Sequence, residues 1–356
     1  MRSWVEVSLD QIAANYHSVR DTVGPGVEIM PVVKADAYRH GAVAVSHRLE
    51  EIGVRWLAVS NVQEGVRLRE SGIRSRILVM ADTVAAGADA WQIHRLTPVI
   101  HSLEEIAQLP AGVAYHLKID SGMGRLGVRA HPEDIVRAAK GTPIEGLMTH
   151  FASSADYTSP QTDEQIATFA QIAHWLQVDY VHQSSTNPIH FGRRAAWGNL
   201  VRPGLALYGY LSQGRGPVPE RLLNVRPALS WKTRILLTKD IPAGSRIGYG
   251  GLYVAERDLR IAILGAGYAD GLPHRLSNKG RVLAAGALTP ILGAVSMDVT
   301  TIDISHAPHL RAGDSVTLLG REGDATLDAQ QIARTAGTIA YAVLCGISAR
   351  VQHVFV

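Results

Sequence analysis

Eight short apolar runs alternate with longer amphipathic stretches through the first two-thirds of this 356-residue chain, and that alternation restricts the fold more than any other feature. The runs fall at 29–34 (IMPVVK), 56–60 (WLAVS), 76–80 (RILVM), 97–101 (TPVIH), 114–120 (AYHLKID), 145–150 (EGLMTH), 179–184 (DYVHQS) and 200–207 (LVRPGLAL). Between them, segments such as 62–71 and 162–176 carry apolar residues at helical spacing. Strands that alternate with helices imply a parallel sheet. Eight such units within about 200 residues fit a closed (β/α)8 barrel better than an open sheet. Beyond residue 223 the texture changes. Strand-like segments at 231–238, 259–264, 290–294, 299–304 and 315–319 follow one another closely, separated by turn signals such as Pro-Ala-Gly, and one helix (328–342) and a last strand (350–356) end the chain. The Gly/Pro-rich stretch 211–225 marks the boundary. The expected architecture is therefore α/β: a (β/α)8 TIM-type barrel over 1–223, then a mostly β C-terminal domain over 224–356.

Composition excludes several function classes. Apolar residues make up 46% and charged residues 19%, the balance of a globular rather than a disordered protein. Cys345 stands alone, which removes an internal disulfide framework and cysteine-based metal sites, and no metal is expected. No apolar run approaches the length of a membrane span, and the first residues lack the apolar core of a signal peptide, so the expectation is a cytoplasmic protein with no membrane partner. The net charge is +3, but the 35 basic residues are scattered singly, without the tract or stripe that nucleic acid requires. A small anionic ligand suits such a balance better. Only six of those 35 are lysines, so a lysine inside an apolar strand is conspicuous.

In a (β/α)8 barrel, chemistry sits at the C-terminal ends of the strands. Lys34 ends the run IMPVVK, where a dry environment would make it a usable nucleophile or base, although a rim lysine can also snorkel to solvent. The stretch KIDSGMGRLG (118–127) sets three glycines around Arg125, giving close backbone approach beside a carboxylate- or phosphate-binding fork, or simply turns. Arg202, inside LVRPG, needs an acceptor, either a structural carboxylate or a ligand atom. Ser185, Thr186 and Asn187, with Gly204 and Leu205, follow the seventh and eighth runs, where such barrels often bind phosphate and where hydroxyls also cap helices. His150 closes the sixth run, as a ligand contact or a structural histidine. IGYGGLY (247–253) and GAGYADG (265–271) place tyrosines among glycines in the β domain, where core packing is the ordinary role of a tyrosine.

These segments occur together in one order. VVKADAYRHG (32–41), KIDSGMGRLG, LMTHFASSAD (147–156), LVRPGLALYGY (200–210), the pair IGYGGLY/GAGYADG and VSMD (295–298) make the chain similar to the alanine racemases. That family depends on pyridoxal 5′-phosphate and belongs to fold type III of the enzymes that use it. The resemblance runs over nearly the whole chain. It implies that Lys34 is the covalent attachment point of the cofactor and one catalytic base. Tyr249 would be the opposite base, supplied by the other subunit of a head-to-tail homodimer. Tyr38, His150, Ser185, Thr186, Arg202, Gly204 and Leu205 would bind the cofactor, with Arg202 at the pyridine nitrogen. Arg125 and the backbone N–H of Met297 would hold the substrate carboxylate, Tyr268 would line the entrance, and Lys118 matches a position that is often carbamylated. The implied product is D-alanine, and the resemblance favours a role in supplying peptidoglycan precursors. Removing an α-proton from one face and returning one to the other requires two flanking bases, which agrees with a lysine and a tyrosine. A cation at the pyridine nitrogen would disfavour its protonation and so restrain side reactions.

Three positions depart from the family pattern. Arg39 replaces the glycine of AYGHG, Ser296 stands where cysteine is common, and Ala349 stands where most members have a tyrosine that narrows the entrance. The last raises a second expectation, a serine or broader-specificity racemase with an opened pocket. A fold-type-III decarboxylase would share the barrel and lysine, but its glycine-triplet phosphate loop is missing here. A non-catalytic pyridoxal phosphate carrier would resemble only the barrel, and would not carry Tyr249.

Overall fold

The computed structural model describes residues 1–87 and 89–356 and divides into two compact units. One comprises Asp10–Ala37 and Gly41–Arg226; the other comprises Met1–Leu9, Tyr38–His40 and Pro227–Val356. Strand β1 (Ser3–Val7) belongs to the second unit, because it pairs with a strand near residue 231. A single cut at residue 223 would have placed it with the barrel.

The first unit holds β2 (Glu28–Ile29), β3 (Trp56–Val59), β4 (Arg76–Val79), β5 (Leu96–Ile100), β6 (Tyr115–Lys118), β7 (Ile144–Met148), β8 (Tyr180–His182) and β9 (Leu200–Val201). Strands β3 to β8 pair in sequence order, all parallel. β9 pairs in parallel with β2, opposite Glu28 and Ile29. Two sets of backbone bonds close the ring: Val33 N–H to Ala58 O (2.8 Å) on one side, and Arg202 N–H to Ser184 O (2.9 Å) on the other. The eight-stranded barrel expected from the alternation is thus observed. Every residue of β3 and of β5 is buried, which explains why these strands read as unbroken apolar runs. Helix starts are capped locally. Asn61 accepts from Glu64 N–H, and Ser102 forms a capping box with Glu105.

Two barrel runs end sooner than the sequence predicts. The eighth is extended only at Leu200–Val201; Pro203 cannot donate to a ladder, and Leu205–Tyr208 winds into a 3-10 turn. After Val33 the chain turns through a helical segment, Lys34–Arg39, of the opposite hand to an ordinary helix. Ala35, Asp36, Ala37, Tyr38 and Arg39 all have positive φ, between 52° and 64°. Left-handed backbone costs roughly 1–2 kcal/mol per non-glycine residue. Offsetting bonds hold the turn: Ala35 N–H to Glu64 Oε1 (2.7 Å), Ala42 N–H to Asp36 Oδ1 (2.9 Å) and Gly41 N–H to Asp36 O (3.0 Å).

In the second unit the strands are β1 with β10 (Leu229–Ile241), β11 (Arg246–Ile247), β12 (Tyr253–Val254), β13 (Leu259–Leu264), β14 (Arg281–Ala284), β15 (Ala287–Pro290), β16 (Thr300–Asp303), β17 (Ser315–Glu322), β18 (Ala325–Leu327) and β19 (Gln352–Phe355). The main sheet runs β15-β14-β17-β10-β1-β19. The long β10 serves two neighbourhoods. Its first half pairs with β1 and β17, and beyond a register shift after Ile235 it pairs with β13. The single helix expected at 328–342 is two, Ala329–Ala336 and Ala340–Gly346, because Gly337 takes φ 65° and terminates the first. The strand expected at 290–294 lies earlier, at Ala287–Pro290, paired with β14.

Candidate active site

At the C-terminal mouth of the barrel, the strand ends gather positive charge. Burial pushes the His150 imidazole down to about 3, and Arg202, Lys118, Arg125 and Lys34 all act on it in the same direction. His150 is therefore neutral at physiological pH. Lys118, only 5% exposed, is pushed down to about 8, by burial first and then by Arg125 and Arg202, with Asp120 opposing. Lys34, Lys118, Arg125, His150 and Arg202, spread over 169 positions of sequence, thus share one electrostatic neighbourhood. Such a cluster is stable only with anions to balance it.

The glycine-rich stretch after β6 is organised by one carboxylate. Asp120 accepts N–H groups from Gly122, Met123 and Gly124 at 2.8 to 3.2 Å and pairs with Arg129 at 3.0 Å. A Cβ on Gly127 would stand 2.7 Å from Asp120 N, so this glycine is required. The loop presents Arg125 as an exposed side chain.

Arg202 is almost fully buried, and burial draws its guanidinium down to about 9, still protonated at neutral pH. Nη1 donates to His182 Nδ1 (2.7 Å) and His182 O (2.8 Å); Nη2 donates to Thr149 O (2.7 Å) and Gln183 O (3.2 Å). Nε–H is the donor left for a ligand. Close by in sequence, Thr186 Oγ1 accepts from Gly204 N–H (3.3 Å) and Ala206 N–H (3.2 Å), which keeps its own O–H available to donate. Ser185, Thr186 and the N-terminal end of the 3-10 turn at Leu205 therefore combine hydroxyl and backbone donors, as a phosphate requires. Pyridoxal 5′-phosphate fits this donor set. A lysine lies near a guanidinium with one unused N–H, and hydroxyl and amide donors serve the anionic end.

The second unit brings its own candidates together. Tyr268 N–H donates to Ser296 O and Ala269 N–H to Met297 O, both at 3.0 Å. Gly267 permits this approach, since a Cβ there would stand 2.2 Å from Ser296 O. Gly293 lies so close to Ile247 that its Cβ would meet the carbonyl oxygen at 2.6 Å, fixing the turn that carries Tyr249. Ser348 N–H bonds Asp270 O at 3.0 Å, which sets exposed Ala349 near the Tyr268 turn. Tyr249 is 78% exposed and Met297 53%. Tyr38, grouped with this unit, is buried with its ring 5.8 Å from that of Tyr341, and burial raises its phenol well above the ordinary value. At Arg39 the left-handed φ of 64° is one that the family's glycine adopts without strain.

Sequence reasoning missed what lies beneath Arg202. His116 and His182 are fully buried and bonded to each other; His116 sits inside β6 and His182 closes the three-residue β8. Histidine at inward positions of YHLK and YVH was the available signal. Among the described residues, no helix is long and apolar enough to cross a membrane.

Fold and site together are those of a barrel enzyme with an appended β domain. Two family models match in tandem: "Alanine racemase, N-terminal domain" over residues 7–212 and "Alanine racemase, C-terminal domain" over residues 228–355. The alanine racemase of Halothermothrix orenii is 39% identical, over 99% of this chain and 96% of its own. A crystal structure of Bacillus anthracis alanine racemase with bound L-Ala-P is 32% identical, covers 100% of this chain and 95% of that one, and superposes with a TM-score of 0.90. The Bartonella henselae alanine racemase, with covalently bound pyridoxal phosphate, shares the fold at 24% identity, full coverage of both chains and a TM-score of 0.88. The chain belongs to the alanine racemase family and is an isomerase of the amino-acid racemase class.

Proposed function

We propose that the protein is a pyridoxal 5′-phosphate-dependent racemase that interconverts L- and D-alanine in the cytoplasm, supplying D-alanine for peptidoglycan. The observation that carries this reading is the cationic cluster in which Lys34, Lys118, Arg125 and Arg202 act together on a neutral His150. Lys34 would hold the cofactor covalently, Ser185, Thr186, Gly204 and Leu205 would hold its phosphate, Arg202 and His150 would contact its ring, and Tyr38 would be a further cofactor-binding residue. When bound, the cofactor supplies the electron sink that makes the substrate α-proton removable. The chain supplies the rest. Arg125 and the Met297 N–H bind the substrate carboxylate, so the α-carbon is presented in one orientation. Lys34 and Tyr249 exchange protons with opposite faces of that carbon, one removing as the other delivers. Tyr249 is contributed by the other subunit of a head-to-tail homodimer, a role that its exposure permits. Lys118, as the free amine that its lowered pKa favours, captures carbon dioxide and releases a proton; the carbamate then orients Arg125. Carbon-13 bicarbonate would label this lysine, increasingly as pH rises through about 8.

A second reading rests on Ala349. Its small side chain beside the Tyr268 turn leaves room for serine or larger substrates, with Tyr268 still lining the entrance. The deciding experiment is a chiral product assay with L-alanine, L-serine and longer L-amino acids, with Lys34→Ala as control. D-Alanine as the main product, and a loss of about 10⁴-fold in the control, are expected. Racemisation that survives the substitution, or none in the wild type, would refute the assignment.

A further inference from the structure

A line of polar groups crosses the barrel interior, which in such folds is normally filled by branched apolar side chains. It begins at Arg202, just beyond β9 at the C-terminal mouth, and ends at Glu145, near the start of β7 at the opposite floor. His182 Nδ1 lies 2.7 Å from Arg202 Nη1. His182 Nε2 lies 2.7 Å from His116 Nδ1, and His116 Nε2 lies 3.8 Å from Glu145 Oε2. Glu145 makes a two-pronged ion pair with Arg76, whose guanidinium stacks 4.0 Å over the Trp56 ring.

The direction of every proton along this line follows from its Arg202 end, since His116 Nε2 makes no hydrogen bond at the other. Guanidinium can only donate, so His182 Nδ1 must accept and its proton sits on Nε2. That proton is donated to His116 Nδ1, which forces the His116 proton onto Nε2, facing the Glu145 carboxylate. Both rings are neutral in this arrangement, and each is polarised in the same sense. We propose that Glu145, acting across the 3.8 Å gap to His116 and through His182, is the remote counter-ion of Arg202, a positioning residue that polarises both imidazoles and holds the guanidinium in place for the pyridine nitrogen. The proposal rests on the racemase reading for its functional consequence, but its geometry stands within the barrel unit alone.

Three features support a built device. Burial keeps both imidazoles below their ordinary proton affinity, with Arg202 acting on each, so neither is a free cation. Burial alone would raise the Glu145 carboxyl, yet His116 and Arg76 outweigh it and hold it at about 2, an anion at all working pH; Tyr180 interacts with Arg76. Finally, Gly146 clears space for the first ring, since a Cβ there would stand 2.5 Å from His116 Nδ1. Trp56 and Tyr180 box that ring, with centroids 5.4 and 5.8 Å away.

Ring-nitrogen NMR of the holoenzyme labelled with nitrogen-15 histidine tests this directly. The two signals are assigned from His116→Gln and His182→Gln samples. The expected result is that both rings carry their proton on Nε2 and stay neutral at pH 7. In Glu145→Gln the His182 signals move, the pH midpoint of the bound cofactor's visible absorbance shifts, and kcat falls about tenfold with KM changed less than about twofold. A proton on Nδ1 of either ring, or an imidazolium at neutral pH, overturns the proposal in the wild type alone, whatever the variant's stability. A folded Glu145→Gln enzyme with unchanged His182 signals and absorbance also overturns it. Failure of the racemase reading would appear separately, as a wild type with Nε2-protonated rings that forms no D-amino acid.

Discussion

The barrel unit and the β unit present their candidate residues in opposite ways. In the barrel, Lys118, Arg202, His116 and His182 are enclosed, and the last three are held by hydrogen bonds within the same unit. In the β unit, Tyr249, Tyr268 and Met297 are exposed on turns that are rigidly set from below by close glycine contacts. One unit carries an enclosed electrostatic environment; the other carries exposed side chains on fixed turns. The contrast teaches where each kind of function can reside. Charge tuning needs burial and therefore a complete core. The role proposed for Tyr249, a proton donor to a second subunit, asks only for a stiff turn at a surface.

Four substitutions test that division. The largest effect is expected from Tyr249→Phe, which removes the phenol oxygen and little else. Racemisation falls about 10²–10⁴-fold, while cofactor affinity stays that of the wild type. Loss of cofactor binding in this variant would show that the two units do not divide the work in this way. Ala349→Tyr narrows the same loop cluster and shifts the ratio of serine to alanine turnover about 10–100-fold toward alanine; an unchanged ratio in parallel kcat/KM measurements would remove Ala349 from the specificity argument.

In the barrel, Gly146→Ala drives a methyl group into the His116 ring and lowers stability by about 1–3 kcal/mol in denaturant unfolding. Wild-type stability in this variant would mean that the ring has room to move. The smallest effect concerns acid. The Glu145 carboxyl is held at about 2, below its ordinary 4.5, so its stabilising contribution is complete above about 4.5 and is lost as pH falls toward 2. Glu145→Gln should therefore flatten the stability profile across that interval, and equal acid slopes for the two proteins would contradict it.

Much of the fold was legible because its cause is local. A strand covered on both faces must be apolar throughout, so β3 to β5 announce themselves, and the eight-fold alternation leaves few closed arrangements. What failed to show was conformation imposed against local preference. Nothing in Ala-Asp-Ala-Tyr-Arg favours five consecutive positive φ values; the bonds from Glu64 and Asp36 impose them. The site divides along the same line. Lys34, Arg125, His150 and Arg202 were visible as polar residues at apolar strand ends. His116, His182 and Glu145 were not, because their meaning lies in mutual distance.

By itself, then, the amino-acid order determined the barrel, the β domain that follows it and the polar residues at the strand ends, since periodicity and solvation act along the chain. Only the tertiary structure decided that five basic or imidazole side chains from distant strands share one field, and that a glutamate at the barrel floor faces an arginine at its mouth through two histidines. Electrostatic coupling falls with distance in space and grows as water is excluded, and neither quantity is written in sequence separation.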